Sequence, residues 1–360
     1  MLGLYIHIPY CRSKCAYCDF ASAAVKGGVP DEYVDAVLRE LWRFSPCGST
    51  PLRPDTVYLG GGTPSLLTPR QVSRILDAAG PVPGAEITLE ANPDTVTRDV
   101  LAGFRAAGVN RLSVGVQTAS DESLRRIGRR HTAAEAARTL KDARAAGFEN
   151  ISGDIMLALP HYTADEMRDT VALLAGECTH ISAYLLKIEP DTVFGRRAPD
   201  GVPGDDEAAD FYLACVDELA ARGYRQYEIS NFAQPGFEGR HNLLYWDCRD
   251  YLGIGPSAHS CMSGKRFFTP RGTDAFLRAD AVYTPDGDCT AQDYIMLRLR
   301  LAEGLSLAKL QSRFGVSLTP AQTAFCRSLA QNGLARFDGE TLSLTPRGML
   351  VQNSVLTELL

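Results

Sequence analysis

Three cysteines within eight residues constrain this chain more than any other feature. Cys11, Cys15 and Cys18 follow one another as C-x3-C-x2-C, directly after the alternating run Tyr5-Ile6-His7-Ile8, which reads as a strand. Thiolates at that spacing can converge on one inorganic centre. A cubane [4Fe–4S] cluster has four irons, so three cysteines leave one iron without a protein ligand. An open metal position is where a substrate or cofactor binds. Zinc is the competing reading, but it calls for a fourth Cys or His nearby, and the next residues are Asp19 and Phe20. A disulfide inside C-x3-C is geometrically poor.

The rest of the composition narrows the class. A chain of 360 residues holds one large domain and a small one. Its apolar content of 45% and charged content of 22% are globular values. A net charge of −6 gives no bulk attraction to nucleic acid or to an anionic membrane surface. No apolar run approaches the ~20 residues that span a bilayer, and Met1-Leu2-Gly3 leads straight into the first strand without a signal peptide. The expected location is cytoplasmic. The seven remaining cysteines (Cys47, Cys178, Cys215, Cys248, Cys261, Cys289 and Cys326) are scattered and are expected to be buried free thiols.

After the cysteine loop, Pro30-Asp31-Glu32-Tyr33 opens a helix with Val34, Val37, Leu38 and Leu41 at helical spacing. Strands then alternate with helices: Thr56–Leu59, Glu86–Glu90, Arg111–Gln117, Ile151–Leu159 and His180–Ile188. The intervening helices close on Gly80, Gly108, Gly147 and Gly176, residues that can take the left-handed C-cap conformation. A later helix, Asp205 to Gly223, precedes a strand at Arg225–Ile229. This alternation implies parallel strands joined by right-handed crossovers. Six units, counting the cysteine strand, fit a partial (β/α)6 barrel of the TIM type, whose motifs gather at the C-terminal strand ends.

From about Thr290 the pattern changes. Ala291–Ala302, Leu305–Phe314 and Pro320–Asn332 read as helices, and Leu334–Phe337 with Thr341–Leu344 as a hairpin about Asp338-Gly339. A last helix runs from about Arg347 to Leu360. Three helices and a two-stranded wing form a winged-helix-like α+β pattern, giving expected domains at 1–285 and 286–360. Residues 290–360 carry seven Arg or Lys and five acids without a basic run. DNA binding needs a basic footprint, so packing or partner docking is the expected role, with no nucleic-acid partner.

Several residues at strand ends carry chemistry. Gly60-Gly61-Gly62-Thr63-Pro64 follows the second strand, and consecutive glycines let backbone groups approach a ligand. Glu90 ends the third strand, where a carboxylate can accept from a ribose diol. Gln117 ends the fourth, and Arg129 lies twelve residues on, either a partner for a carboxylate or a surface residue beside Arg125, Arg126 and Arg130. Asp154 stands among Ile151, Ile155, Met156 and Leu157, so it must be paired or ligand-bound if buried. Far downstream comes His241-Asn242-Leu243-Leu244-Tyr245-Trp246. A neutral imidazole there can ligate haem iron, or the histidine is a core residue packed by aromatics.

These motifs resemble the radical S-adenosylmethionine (SAM) family along nearly the whole chain. Within it they are similar to the HemW haem chaperones, relatives of the oxygen-independent coproporphyrinogen III oxidase HemN. The matching stretches are YIHIPYCRSKCAYCDF, GGGTPS, LEANPDT, SVGVQTASDESLRRIGRRH, EISNFA and HNLLYW. The resemblance implies a radical SAM barrel with a [4Fe–4S] cluster on Cys11, Cys15 and Cys18. SAM contacts are implied at Tyr5, Tyr17 (where a Phe is common), Gly61, Gly62, Thr63 and Glu90. Gln117, Arg129 and Asp154 match positions that in HemN contact a second SAM. HemN-type decarboxylases resemble C-x3-C-x2-C-x-C, whereas Phe20 stands here at the extra cysteine. HemW-type proteins carry HNxxYW, whose histidine, here His241, is the implied haem contact. Ala158 stands where the family usually has Gly.

The expectation is therefore a haem chaperone that hands haem to haem-requiring apoproteins, respiratory ones among them, with peripheral membrane association compatible with that role. No catalytic residue is assigned. The rival expectation is oxidative decarboxylation of coproporphyrinogen propionates by SAM-derived radical chemistry. A redox-sensing winged-helix regulator is a third reading, disfavoured by the weak basic character of residues 290–360.

Overall fold

A computed structural model describes residues 1–45, 48, 50–279 and 282–360; Cys47 lies outside the described residues. Six strands run parallel side by side: β1 (Gly3–Ile8), β2 (Thr56–Gly61), β3 (Glu86–Ala91), β4 (Arg111–Gln117), β5 (Asn150–Leu157) and β6 (His180–Leu185). Helices α1 (Asp31–Phe44), α2 (Pro69–Ala79), α3 (Arg98–Ala106), α4 (Ala133–Ala145) and α5 (Ala164–Ala175) link them, and α6 (Asp205–Ala221) follows β6. The partial TIM-like barrel is thus present.

Period-two patterning builds the barrel wall. Along β4, Leu112, Val114 and Val116 are fully buried in the hydrophobic core. The alternating positions Arg111, Ser113, Gly115 and Gln117 line the barrel interior. Successive side chains of a strand point to opposite faces, so one short strand serves both the core and the site.

The sheet continues past both edges of the six. On one side β8 (Asn231–Ala233) runs antiparallel to β6, with β7 (Arg225–Gln226) outside it. The strand expected over Arg225–Ile229 is therefore cut to two residues, because the chain turns to form β8. On the other side β9 (Tyr251–Ile254) pairs in parallel with β1, followed by the antiparallel strands β10 (His259–Met262), β11 (Lys265–Phe268) and β12 (Thr284–Asp288). The short helix α7 (Arg240–Trp246) precedes β9.

Helix ends differ in part from expectation. Gly80 caps α2 in the left-handed conformation (φ 57°). Gly108 and Gly147 stand at positive φ one residue after the C-caps of α3 and α4. Gly176 stays right-handed at φ −70°, because the chain continues its turn and Cys178 N–H donates to Leu174 O. Strand β5 stops at Leu157 because Ala158 takes φ 57°, a conformation glycine adopts without strain. Strand β6 likewise ends at Leu185, short of Ile188.

The C-terminal region has its own buried cluster, from Tyr294 and Leu299 to Leu356 and Leu359. Its helices are Ala291–Arg298, Leu307–Phe314 and Pro320–Gln331. Leu305–Ser306 is not helical but a third wing strand, paired with Thr341–Leu344, which also pairs with Ala335–Phe337. The last helix breaks at Val351 into Pro346–Leu350 and Gln352–Leu359. No helix among the described residues is long and apolar enough to cross a membrane.

Candidate functional site

The C-terminal ends of β1 to β6 surround a chamber of about 400 Å3 that runs down into the barrel. Cys11, Cys15 and Cys18 line its mouth as free thiols. Their loop is tied down by backbone bonds. Val25 N–H donates to Cys11 O (2.8 Å), and Ala16 N–H donates to Ile127 O (3.0 Å). His7 anchors the return, with Nε2 on Ala21 O (2.7 Å) and Nδ1 on the Tyr5 hydroxyl (2.9 Å).

The glycine loop meets the cysteine loop at close range. A Cβ at Gly62 would stand 2.8 Å from Ile8 O and 2.7 Å from Tyr10 O. Gly61 takes φ 111°, and a Cβ there would meet the His7 ring at 2.6 Å. Thr63 Oγ1 donates to Cys11 Sγ (3.4 Å), so a hydroxyl dipole already points at one thiol.

Glu90 and Asp154 bring buried carboxyl groups to the chamber. Glu90 accepts from the Tyr58 hydroxyl (2.8 Å) and from Gly61 N–H (3.0 Å). Burial raises its pKa to about 7, with those two donors opposing. Asp154 is raised by burial to about 6, and the Ser182 and Ser113 hydroxyls hold it down. The lone acid of the apolar strand thus has hydroxyl partners, and the charges of Arg111 and Arg129 act on it as well.

Arg129 is turned inward, not onto the surface. It donates to Asn92 Oδ1 (2.8 Å) and to the Tyr17 hydroxyl (2.7 Å), and its buried Nε has no partner. Asn92 in turn donates to Thr63 Oγ1 (3.0 Å), linking glycine loop and arginine. Gln117 is 4% exposed at the end of β4, with φ 71°, a strained value for a non-glycine residue. Gly115 leaves room for Gln117, Asn92 and Arg129 to meet, since a Cβ there would lie 3.0–3.4 Å from all three.

The structure therefore brings Cys11, Cys15, Cys18, Tyr17, Gly61, Gly62, Thr63, Glu90, Gln117, Arg129 and Asp154 to one wall. Tyr5 and His241 are not on it. Tyr5 turns its hydroxyl to His7. His241 lies at the opposite end of the strands, bonded through Nδ1 to Thr56 Oγ1 (2.7 Å) at the start of β2 and through Nε2 to the Tyr245 hydroxyl (2.6 Å). Gly61 lies five positions after Thr56, roughly 16 Å along a strand. The imidazole is 1% exposed, and burial lowers its pKa to about 3, so it is neutral. Both ring nitrogens are engaged in this conformation.

Among the chamber residues that escaped the sequence reading are Tyr58, Asn92, Arg111 and Asn242. Arg111 is 4% exposed with an unpartnered buried Nε, and its charge bears on Glu90 and Asp154. Asn242, next to His241, is the member of HNLLYW that reaches the chamber. The period-two pattern of β4 was the available signal for Arg111.

A polynuclear cluster suits this donor set. Thiolates without imidazoles are soft ligands for iron–sulfur centres. Among the described residues no group of three His, Cys, Asp or Glu side chains is gathered closely enough to hold a metal ion.

Known proteins resemble the chain over its full length. The radical SAM superfamily profile matches residues 5–174, and the HemN C-terminal domain profile matches residues 291–351. The "Heme chaperone HemW" of Bacillus subtilis is 34% identical over 99% of this chain and 98% of that protein. The protein of the same name from Escherichia coli is 38% identical over 99% and 97%. The mouse mitochondrial "Radical S-adenosyl methionine domain-containing protein 1" is 37% identical over 86% of this chain and 70% of its own length. Among solved structures, Escherichia coli HemN superposes with a TM-score of 0.83 at 24% identity, covering 99% of this chain and 89% of that one.

Proposed function

The chain belongs to the HemW haem chaperone family of the radical SAM superfamily, and on that premise we propose that it holds a [4Fe–4S] cluster and SAM in the chamber, binds haem, and hands haem to haem-requiring apoproteins. The observation that carries this reading is the likeness to haem chaperones over 99% of the chain. Phe20, two residues past Cys18 and 61% exposed, stands where a decarboxylase would place a further cysteine.

Cys11, Cys15 and Cys18 would hold three irons of the cluster, and a cluster bound there would supply one-electron reducing power toward SAM. The chain's own residues position the cofactor. Gly61 and Gly62 leave space for close backbone approach. Glu90 keeps a free lone pair on each oxygen for ribose hydroxyls. Arg129 keeps Nε for a carboxylate, and Gln117 and Asp154 complete the wall. Tyr5 acts at one remove, through His7 and the cysteine loop. The proposed division at 1–285 and 286–360 is supported by two separate buried clusters.

His241 as haem contact requires Tyr245 to release Nε2. Tyr245→Phe frees that nitrogen while keeping the ring, so haem affinity in a Soret titration is expected to rise, and His241→Ala to abolish stoichiometric binding. Unchanged binding in both variants would remove His241 from the haem site.

A second reading, coproporphyrinogen oxidation, is favoured by the whole-chain likeness to the HemN fold. Anaerobic assay with reductant, following protoporphyrinogen and CO2, separates the two readings; robust turnover supports oxidation.

A further inference from the structure

Arg111 opens β4 at the end opposite Gln117 and lines the chamber. It is 4% exposed, and its buried Nε has no partner. Among the described residues no acceptor takes a hydrogen bond from its guanidinium and no carboxylate forms an ion pair with it. Its charge acts on Glu90 and Asp154 from beyond ion-pair distance. Both acids have donors of their own: the Tyr58 hydroxyl and Gly61 N–H on Glu90, the Ser113 and Ser182 hydroxyls on Asp154. Burying an unpaired cation is costly, so a guanidinium placed this way in a chamber wall marks a site for an anion.

The guanidinium lies against the entry to α7. A Cβ at Gly239, the residue before that helix, would stand 3.6 Å from Arg111 Nη2 and 3.9 Å from Cζ. Three residues on, Asn242 lines the same chamber, and its carboxamide makes no hydrogen bond among the described residues. Polar neighbours are committed elsewhere. His180 uses both ring nitrogens, on Ser152 Oγ (2.7 Å) and on the Tyr227 hydroxyl (2.8 Å), and Asn231 donates to Glu228. Arg111 and Asn242 thus keep open donors. A guanidinium offers two parallel N–H groups to the two oxygens of a carboxylate. A phosphate carries up to twice that charge and would face Glu90 and Asp154, so a monoanion is the better match.

We propose that Arg111 and Asn242 form a carboxylate subsite that takes a propionate arm of a tetrapyrrole. This rests on the haem-binding reading above. Arg129, beside Gln117 at the other end of β4, serves the SAM carboxylate, which leaves Arg111 for a second one. A tetrapyrrole carries its carboxylates on short arms at its rim. His241, the residue that would meet its iron, is adjacent to Asn242 in α7 and feels the Arg111 charge.

The test is a Soret titration of the full chain with haem and with haem dimethyl ester, whose propionates are capped. The parent is expected to bind haem about tenfold tighter than the diester. Arg111→Gln should lose that preference by weakening haem and leaving the diester unchanged. Arg111→Lys and Asn242→Ala should each keep part of it, and they carry the comparison if Arg111→Gln does not fold. Equal losses for haem and diester, or an unchanged preference, would overturn the subsite. So would a fall in SAM affinity by equilibrium dialysis with the preference intact, since the carboxylate received would then be that of SAM. A parent that binds neither porphyrin would sink haem carriage, and sodium propionate then tests the subsite alone. Against sodium chloride at equal ionic strength, it should raise the melting temperature of the parent by about 1 °C or more and leave Arg111→Gln unmoved. Equal shifts in the two proteins would overturn the subsite.

Discussion

Glu90 shows how one buried carboxyl shapes the site. Its pKa, raised by burial to about 7, lies above the 4.5 of an exposed glutamate. The folded protein therefore binds a proton more tightly than the unfolded chain does. The stability this contributes is complete below about pH 4.5 and is lost as pH rises through about 7. Glu90→Gln is expected to flatten that loss. In urea unfolding the variant should exceed the parent by about 2 kcal/mol at pH 8, after allowance for water in the chamber, and show little gain at pH 4.5. An equal gain at both pH values would show that Glu90 ionises as an exposed residue does. Glu90 was legible in the sequence because it closes an apolar strand. Asn92 and Asn242 were not, since a polar residue facing a barrel interior has the same local pattern as one facing water.

At the scale of elements, the glycine loop and the cysteine loop act as a unit. The contacts a Cβ would make at Gly62 are with backbone carbonyls, which cannot swing aside as a side chain can. Gly62→Ala should displace the cysteine loop, and iron content after anaerobic reconstitution should fall several-fold. Full iron loading would show that the two loops move independently. The six β–α units could be read from periodicity, because each strand is short, apolar and followed by a helix. The parallel pairing of β9 with β1 could not, because a four-residue strand gives little signal and its partner lies far away in sequence. The position of α7 was hidden for the same reason. HNLLYW identified a motif, but only the fold shows that Asn242 faces the chamber while His241 is held between Thr56 and Tyr245.

Across the whole molecule, the C-terminal region clamps the barrel beside α7. Arg300 lies over the Trp246 ring at 4.4 Å and pairs with fully buried Glu228 at 3.4 Å. Arg298 reaches Asp247 at 3.4 Å. Removing one partner of a buried pair leaves the other charge uncompensated. Arg300→Met is therefore expected to destabilise the chain by about 3 kcal/mol, read by urea unfolding; a change below about 0.5 kcal/mol would show that the clamp is not a structural element. The winged-helix-like pattern was legible from composition and turn residues, but its third strand, Leu305–Ser306, was too short to register. The most direct test of haem carriage is a Soret titration of the anaerobically reconstituted protein, with and without SAM, followed by an assay for protoporphyrinogen. The account predicts a saturable, stoichiometric haem endpoint and no porphyrinogen product; turnover of coproporphyrinogen without saturable haem binding would contradict it.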